Sequence, residues 1–258
     1  MTNDNQAVVL SGLSIGYRAR NSVRMVVSGI SATLYKGSLT CLLGRNGVGK
    51  STLLRTLAGF QPQLEGSIML AGKRLEDYSA RELAQTIGVV LTERTDVGMM
   101  TAQELVALGR SPYTGFWGRL NREDREAVEE AIEMVGIEEL ASRQVSTLSD
   151  GERHKVMIAK ALAQQTDIIF LDEPTAFLDY PSKVEVLQLL RRICHEAGKA
   201  VFLSTHDLEL TVKAADTTWL MTRDEGLLTG TPQQLNASGA LKRHLDFDAS
   251  SLLSKSEK

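Results

Sequence analysis

Gly44-Arg45-Asn46-Gly47-Val48-Gly49-Lys50-Ser51-Thr52 has the spacing G-x-x-x-x-G-K-[ST], and the residues on either side decide its reading. Upstream, Leu39-Thr40-Cys41-Leu42-Leu43 is apolar enough for a strand buried on both faces. Downstream, Thr52 to Ala58 reads as a helix that ends at Gly59. Between them, the three glycines allow backbone conformations closed to other residues, so successive N–H groups can curl around phosphate oxygens. Lys50 is then expected at the β- and γ-phosphates and the Ser51 hydroxyl at Mg²⁺, with the positive end of the helix facing the anion. A glycine-rich turn that matched by chance would lack this strand-loop-helix setting.

The chain has 258 residues, room for one large domain or two modest ones, and 43% hydrophobic residues suffice for a substantial core. Its 29 Lys and Arg nearly balance 32 Asp and Glu, a formal net charge of -3, which argues against a general nucleic-acid or anionic-membrane footprint. No apolar run approaches the ~18 residues needed to span a bilayer, and the polar start Met1-Thr2-Asn3-Asp4-Asn5-Gln6 lacks a signal-peptide pattern. The protein is thus expected to stay in the compartment where it is made. Cys41 and Cys194 have neither metal nor redox spacing and read as packing residues in a reducing cytoplasm.

Ahead of the loop, Ala7 to Leu13 and Val23 to Leu34 carry β-rich runs broken by Gly12, Gly16, Gly29 and Gly37, which suggests antiparallel strands. Tyr17, read here on a loop, can either pack in the core or stack its ring on adenine. Gly66 to Gly72 reads as a strand closing in a turn, and Ile87 to Leu91 as a buried strand that opens into the polar stretch Thr92 to Asp96. From about Thr101 to Leu162 the pattern turns helical. Thr101 to Glu104 is a capping-box sequence, Asn121 can cap a helix with Val128, Ala131, Ile132 and Val135 on one face, and Leu148-Ser149-Asp150-Gly151-Glu152 precedes a third helix. That third start reads either as a capping box of Ser149 with Glu152 or as a helix N-terminus able to bind an anion, and local sequence leaves both compatible readings open. The loop Gly109 to Gly118 carries Tyr113, Phe116 and Trp117, which either form an exposed partner-binding patch or fold back on the helices.

Ile168-Ile169-Phe170-Leu171-Asp172-Glu173 is an apolar strand ending in two carboxylates. Successive side chains point opposite ways, so Asp172 can face Mg²⁺ while Glu173 faces an attacking water as general base. Pro174 to Asp179 then leads through Pro181 into a helix carrying Val184, Leu187, Leu190 and Ile193. Ala200 to Leu203 is one more buried strand, and at its end His206 can contact the γ-phosphate or the nucleophilic water. Thr218 to Leu235 reads as closing strands and a helix, and the tail from Ala249 as frayed.

This ordered set resembles the ATPase subunits of ATP-binding-cassette transporters, over about Leu10 to Leu235. The resemblance implies Tyr17 as the adenine-stacking aromatic, Gly44 to Thr52 as Walker A, Glu93 at the Q-loop position as a metal ligand, LSDGE as the signature, Asp172 and Glu173 as Walker B, Asp179 in the D-loop and His206 as the switch histidine. Ser149 and Gly151 are the signature residues it brings to phosphate. The family usually has glutamine where this chain has Glu93, and LSGGQ where it has LSDGE, so extra negative charge stands near the triphosphate. The fold so implied is α/β: a P-loop core of mostly parallel sheet (7–92 and 166–235), an N-terminal antiparallel β part and an inserted helical subdomain (93–165). One domain then spans 7–235, with a C-terminal extension (236–258) whose end is expected to be disordered.

One phosphate loop and one signature per chain imply a head-to-tail homodimer sandwiching ATP. The segment Thr101 to Asn121 is similar to that of cassette subunits serving importers of iron-siderophores, haem and cobalamin. That likeness implies a membrane permease touched through about Glu93 to Trp117, an extracytoplasmic substrate-binding protein further out, and a place on the cytoplasmic side of the membrane. The function so implied is ATP hydrolysis, with Lys50, Glu173 and His206 in catalytic roles and ATP and Mg²⁺ as cofactors, coupled to uptake. An exporter subunit, or a soluble cassette acting on nucleic acid or the ribosome, is the alternative. The latter usually carries two cassettes, a coiled coil or a basic arm, none of which is visible here.

Overall fold

Strand β3 (Leu39–Leu43) is buried at every position and lies inside a six-stranded sheet. The structure, a computed structural model, describes residues 5–19, 22–91, 98–115 and 117–253. Parallel partners β8 (Ala200–Ser204) and β9 (Thr217–Met221) flank β3, β7 (Ile168–Asp172) and β6 (Ile87–Val90) continue the sheet beyond β8, and β10 (Leu227–Gly230) closes the other edge antiparallel. The register pairs Leu42 with Ser204 and Ser204 with Asp172. Three strands therefore end level, and the segments after them share one edge, where α/β sheets place ligands. Beneath that edge, Phe202 stands 6.0 Å from Phe170 and 5.0 Å from Trp219, ring centroid to centroid. Each such buried side chain contributes about 1.5–3 kcal/mol.

A second, antiparallel sheet has the order β2-β1-β4-β5, from β1 (Gln6–Ala19), β2 (Ser22–Tyr35), β4 (Glu65–Leu70) and β5 (Lys73–Arg74). Gly12 and Gly16, which read as breaks in the sequence, fall at bulges: the register shifts between Leu10 and Leu13 and again between Ile15 and Gly16, and the strand continues, whereas Gly37 lies in the turn after β2. A Cβ at Gly16 would lie 2.1 Å from the Arg24 carbonyl oxygen, so only glycine fits. Tyr17 consequently lies on β1, opposite Arg24, and not on a loop as expected.

The phosphate loop runs into α1 (Lys50–Leu57). A short helix absent from the sequence reading, α2 (Ala80–Thr86), starts at a Ser79/Glu82 capping box. It buries no residue fully, so no apolar stripe announced it. The helical region comprises α3 (Ala102–Ala107), α4 (Arg122–Val135) and α5 (Asp150–Ala163); α3 and α5 open with the capping boxes expected at Thr101 and Ser149, and the cap expected at Asn121 is itself closed into a box by Asp124. Val128, Ala131, Ile132 and Val135 lie on the buried stripe of α4. Arg110, 5% exposed, ties the three helices together: it donates to Asp124 at 2.9 Å, and to the Ala163 carbonyl and Gln165 Oε1 at 2.8 Å each.

The rest of the chain adds α6 (Tyr180–Ala197), α7 (Leu208–Ala214), α8 (Pro232–Ala237), α9 (Ala240–Leu245) and α10 (Ser250–Leu253). Over the described residues the tail does not fray at Ala249, since α10 follows it to Leu253. Ala249 is fully buried, in a cluster where Ala240 and Leu241 pack with Leu43, Val212 and Leu220. Among the described residues no helix is long and apolar enough to cross a membrane.

Candidate nucleotide site

A cavity of about 460 Å³ opens between the end of the β1–β2 hairpin and the phosphate loop. Tyr17, Arg24 and Val26 line one side, Asn46, Gly47 and Gly49 to Thr52 the other, and Glu173 the end. Gly49 caps α1 with φ 119°, a conformation open to glycine, and supplies no side-chain acceptor. The first-turn N–H groups of α1 therefore lack a side-chain partner and sit at the wall of the cavity, an arrangement that suits an anion.

Lys50 is buried, and its ammonium donates to the Gly44 carbonyl at 2.9 Å with Glu173 Oε1 3.9 Å away. The Ser51 hydroxyl donates to Asp172 Oδ1 at 3.3 Å, across 121 residues of sequence. Ser204, from the neighbouring strand, donates to the same oxygen at 2.5 Å and accepts the Glu173 N–H at 3.0 Å. Its role was invisible in the sequence. Glu173 begins the turn after β7 with φ 50°, and its Oε2 lies 2.6 Å from His206 Nδ1. Lys50, Ser51 and Glu173 thus line the cavity together, with Asp172 and His206 hydrogen-bonded to Ser51 and Glu173. Tyr17, half-exposed, places its hydroxyl 2.9 Å from Thr52 Oγ1. Neither Arg24 nor Val26 carried a motif; their only sequence signal is a place on the strand paired with Tyr17.

Ser149 and Gly151 do not line this cavity. They open α5 at a separate place, where a Cβ on Gly151 would lie 3.4 Å from Ser182 Oγ. Asp179 caps α6 beside them, accepting the Ser182 N–H at 3.1 Å, and hydrogen bonds from Ser182 hold its carboxyl below the usual range. Phe177, 82% exposed, and half-exposed Tyr180 flank Asp179. Of the aromatic loop, Tyr113 folds back, its hydroxyl on the Gln164 carbonyl at 2.8 Å and its ring 4.0 Å from the Arg110 guanidinium. Trp117 is 82% exposed, so the two readings of this loop divide by residue. Glu93 and Phe116 lie outside the described residues.

A glycine-rich loop between strand and helix, a buried lysine, and a serine meeting a strand-end aspartate define a P-loop nucleoside triphosphatase site. The ABC transporter family model matches residues 27–176, and the chain belongs to that family, whose ATP-binding subunits are ATPases. It is 40% identical over 223 residues to an uncharacterized ABC transporter ATP-binding protein of Methanocaldococcus jannaschii, covering 86% of this chain and 76% of that one. It is 34% identical over 237 residues to the iron(3+)-hydroxamate import ATP-binding protein FhuC of Bacillus subtilis (92% and 87% covered), and 35% identical over 218 residues to the ferric enterobactin transport ATP-binding protein FepC of Escherichia coli (84% and 80%). Among solved structures it resembles cbiO1 of Clostridium perfringens, part of the cbiONQ transporter complex, with TM-score 0.79, 27% identity and 93% and 94% of the chains covered. It also resembles the cassette MJ0796 in a dimeric post-hydrolysis state with ADP and Pi, with TM-score 0.72, 25% identity and 87% and 98% covered.

Proposed function

We propose that this ATPase energises uptake of an iron chelate such as a siderophore, with haem and cobalamin as further candidates, through a separate membrane permease. The relatives named for iron(3+)-hydroxamate and ferric enterobactin carry the substrate reading. Lys50, Ser51 and Glu173 on the cavity wall, with Asp172 and His206 hydrogen-bonded to Ser51 and Glu173, carry the catalytic one.

Lys50 and the α1 N–H groups bind and neutralise the triphosphate, and Tyr17 stacks on adenine. Ser51 Oγ and the Asp172 carboxylate are hard oxygen donors, with Glu93 as a third, and they fit Mg²⁺, which on binding neutralises charge on the β- and γ-oxygens. Glu173 takes the proton of the attacking water, and His206, within hydrogen-bond reach of its carboxylate, orients it.

The cassette works as a head-to-tail homodimer in which Ser149 and Gly151 of one copy complete the cavity of the other. Phe177 and Tyr180, exposed beside Asp179 and the α5 N-terminus, support that face as the contact. The dimer sits on the cytoplasmic side of the membrane, touching the permease through about Glu93 to Trp117. In that segment Met99, Met100, Glu104 and Leu108 line a groove of about 530 Å³, and Met99 is 80% exposed. An extracytoplasmic substrate-binding protein delivers the solute.

Glu173→Gln tests the chemistry. Hydrolysis should fall about 10²–10⁴-fold while ATP binding persists and an ATP-bound dimer accumulates; unimpaired turnover would remove Glu173 as the base. Reconstitution with the permease and a panel of iron chelates, haem and cobalamin, scored by solute-stimulated phosphate release, identifies the cargo.

A further inference from the structure

The signature turn of this chain carries a carboxylate where the family usually has an amide, so a negative charge stands one turn from the place proposed for the partner's triphosphate. Glu152 Oε2 accepts from the Ser149 N–H at 2.7 Å and from the Ser149 hydroxyl at 2.8 Å, and these bonds, led by the backbone N–H, hold the carboxyl below its usual range. It is therefore ionised at neutral pH. Its other oxygen, Oε1, accepts from Arg143 Nη1 at 3.1 Å, and Nη2 of the same guanidinium donates to the Thr147 carbonyl at 3.0 Å. Arg143 thus grips the turn at both ends, cancelling the charge of Glu152 and fixing the backbone just before Ser149.

The backbone of Arg143 is itself anchored. Its carbonyl accepts the Ala102 N–H at 2.9 Å, Thr101 bridges Gln144, and the Met100 carbonyl accepts the Val145 N–H at 2.9 Å. Residues 100–102, at the start of α3, belong to the segment proposed to meet the permease. One arginine therefore joins that segment to the signature turn.

We infer that Arg143 is a positioning residue of the ATP-bound dimer: by pairing with and holding Glu152, it lets Ser149 and Gly151 approach the partner's triphosphate with one negative charge of the turn, that of Glu152, offset, while Asp150 is left as it stands. The inference rests on the head-to-tail dimer proposed above. With the arginine gone, the unpaired carboxylate opposes the triphosphate. With both charges gone, the opposition due to Glu152 disappears and only that of Asp150 remains, as in the parent.

The test uses the full chain in the Glu173→Gln background, with dimer followed by sedimentation against ATP concentration. Arg143→Ala should raise the ATP needed for half-dimerisation about tenfold, the effect of ~1.4 kcal/mol. Adding Glu152→Gln should return it to the starting value, and Arg143→Lys should fall between. ATP binding by the monomer, which uses the other face, should stay unchanged and reports folding. No shift with Arg143→Ala, or a shift that Glu152→Gln fails to rescue, overturns the inference and leaves at most a structural role through Thr147. A Glu173→Gln protein that stays monomeric at saturating ATP removes the dimer reading itself, and this inference with it.

Discussion

At Glu173 the backbone adopts φ 50°, a left-handed conformation that costs a non-glycine residue about 1–2 kcal/mol. Ser204 holds it there: the Ser204 carbonyl accepts the Glu173 N–H at 3.1 Å, the hydroxyl accepts it at 3.0 Å, and that same hydroxyl donates to Asp172. One fully buried serine therefore divides the two carboxylates, sending Asp172 towards Ser51 and Glu173 towards His206. Ser204→Ala should destabilise the fold by about 1–3 kcal/mol, because a buried charged acceptor loses a partner. It should lower kcat more than ATP affinity, since Lys50 and the α1 N-terminus are untouched; equal effects on both would show that Ser204 does not position Glu173. The acid pair was legible in the sequence because it ends an apolar run. Ser204 was not, because its meaning comes from a strand pairing 32 residues away that no local pattern announces.

Among the helices, local chemistry was the readable part. The capping boxes at Thr101 and Ser149, the cap at Asn121 and the stripe on α4 are short-range signals, and each stands where its spacing placed it. What fixes these helices against one another was hidden, since Arg110, in the 3-10 turn that follows α3, falls in a stretch that reads as a loop and meets partners 14 to 55 residues away. Burial raises the Asp124 pKa, but the Asn121 N–H and Arg110 outweigh it and bring it below the ordinary value. A carboxyl whose folded pKa is depressed contributes stability above its unfolded pKa of about 3.9 and loses it as pH falls through the folded value. Asp124→Asn should therefore cost about 3–5 kcal/mol near neutrality, where it leaves the buried guanidinium uncompensated. In urea titrations the gap between variant and parent should narrow below pH ~4. A gap that stays constant down to pH 3 would count against the ion pair as its source.

Across the whole molecule, the tail is the part whose role the sequence concealed: Ala240 and Leu241 are adjacent, and Leu245, Phe247 and Ala249 follow among charged residues with no periodic pattern long enough to read. Their partners give them meaning. Leu43 is the last residue of β3, directly before the phosphate loop, Val212 lies on α7 behind His206, and Leu220 on β9 joins the two. The tail thus packs behind both ends of the catalytic machinery, which β3 and α7 bring to the sheet edge from positions about 160 residues apart in sequence. Leu241, 1% exposed, is the largest fully buried side chain the tail contributes to this cluster. Leu241→Ala should cost about 2–5 kcal/mol as a buried cavity, whereas exposed Lys242→Ala should stay within about 0.5 kcal/mol. Because the loss falls on a shared cluster, amide exchange should quicken together in 43–52 and 206–212 while the β1–β2 hairpin keeps its protection. Exchange that quickened only within 240–253 would mean that the tail is a passive cover and braces neither the phosphate loop nor His206.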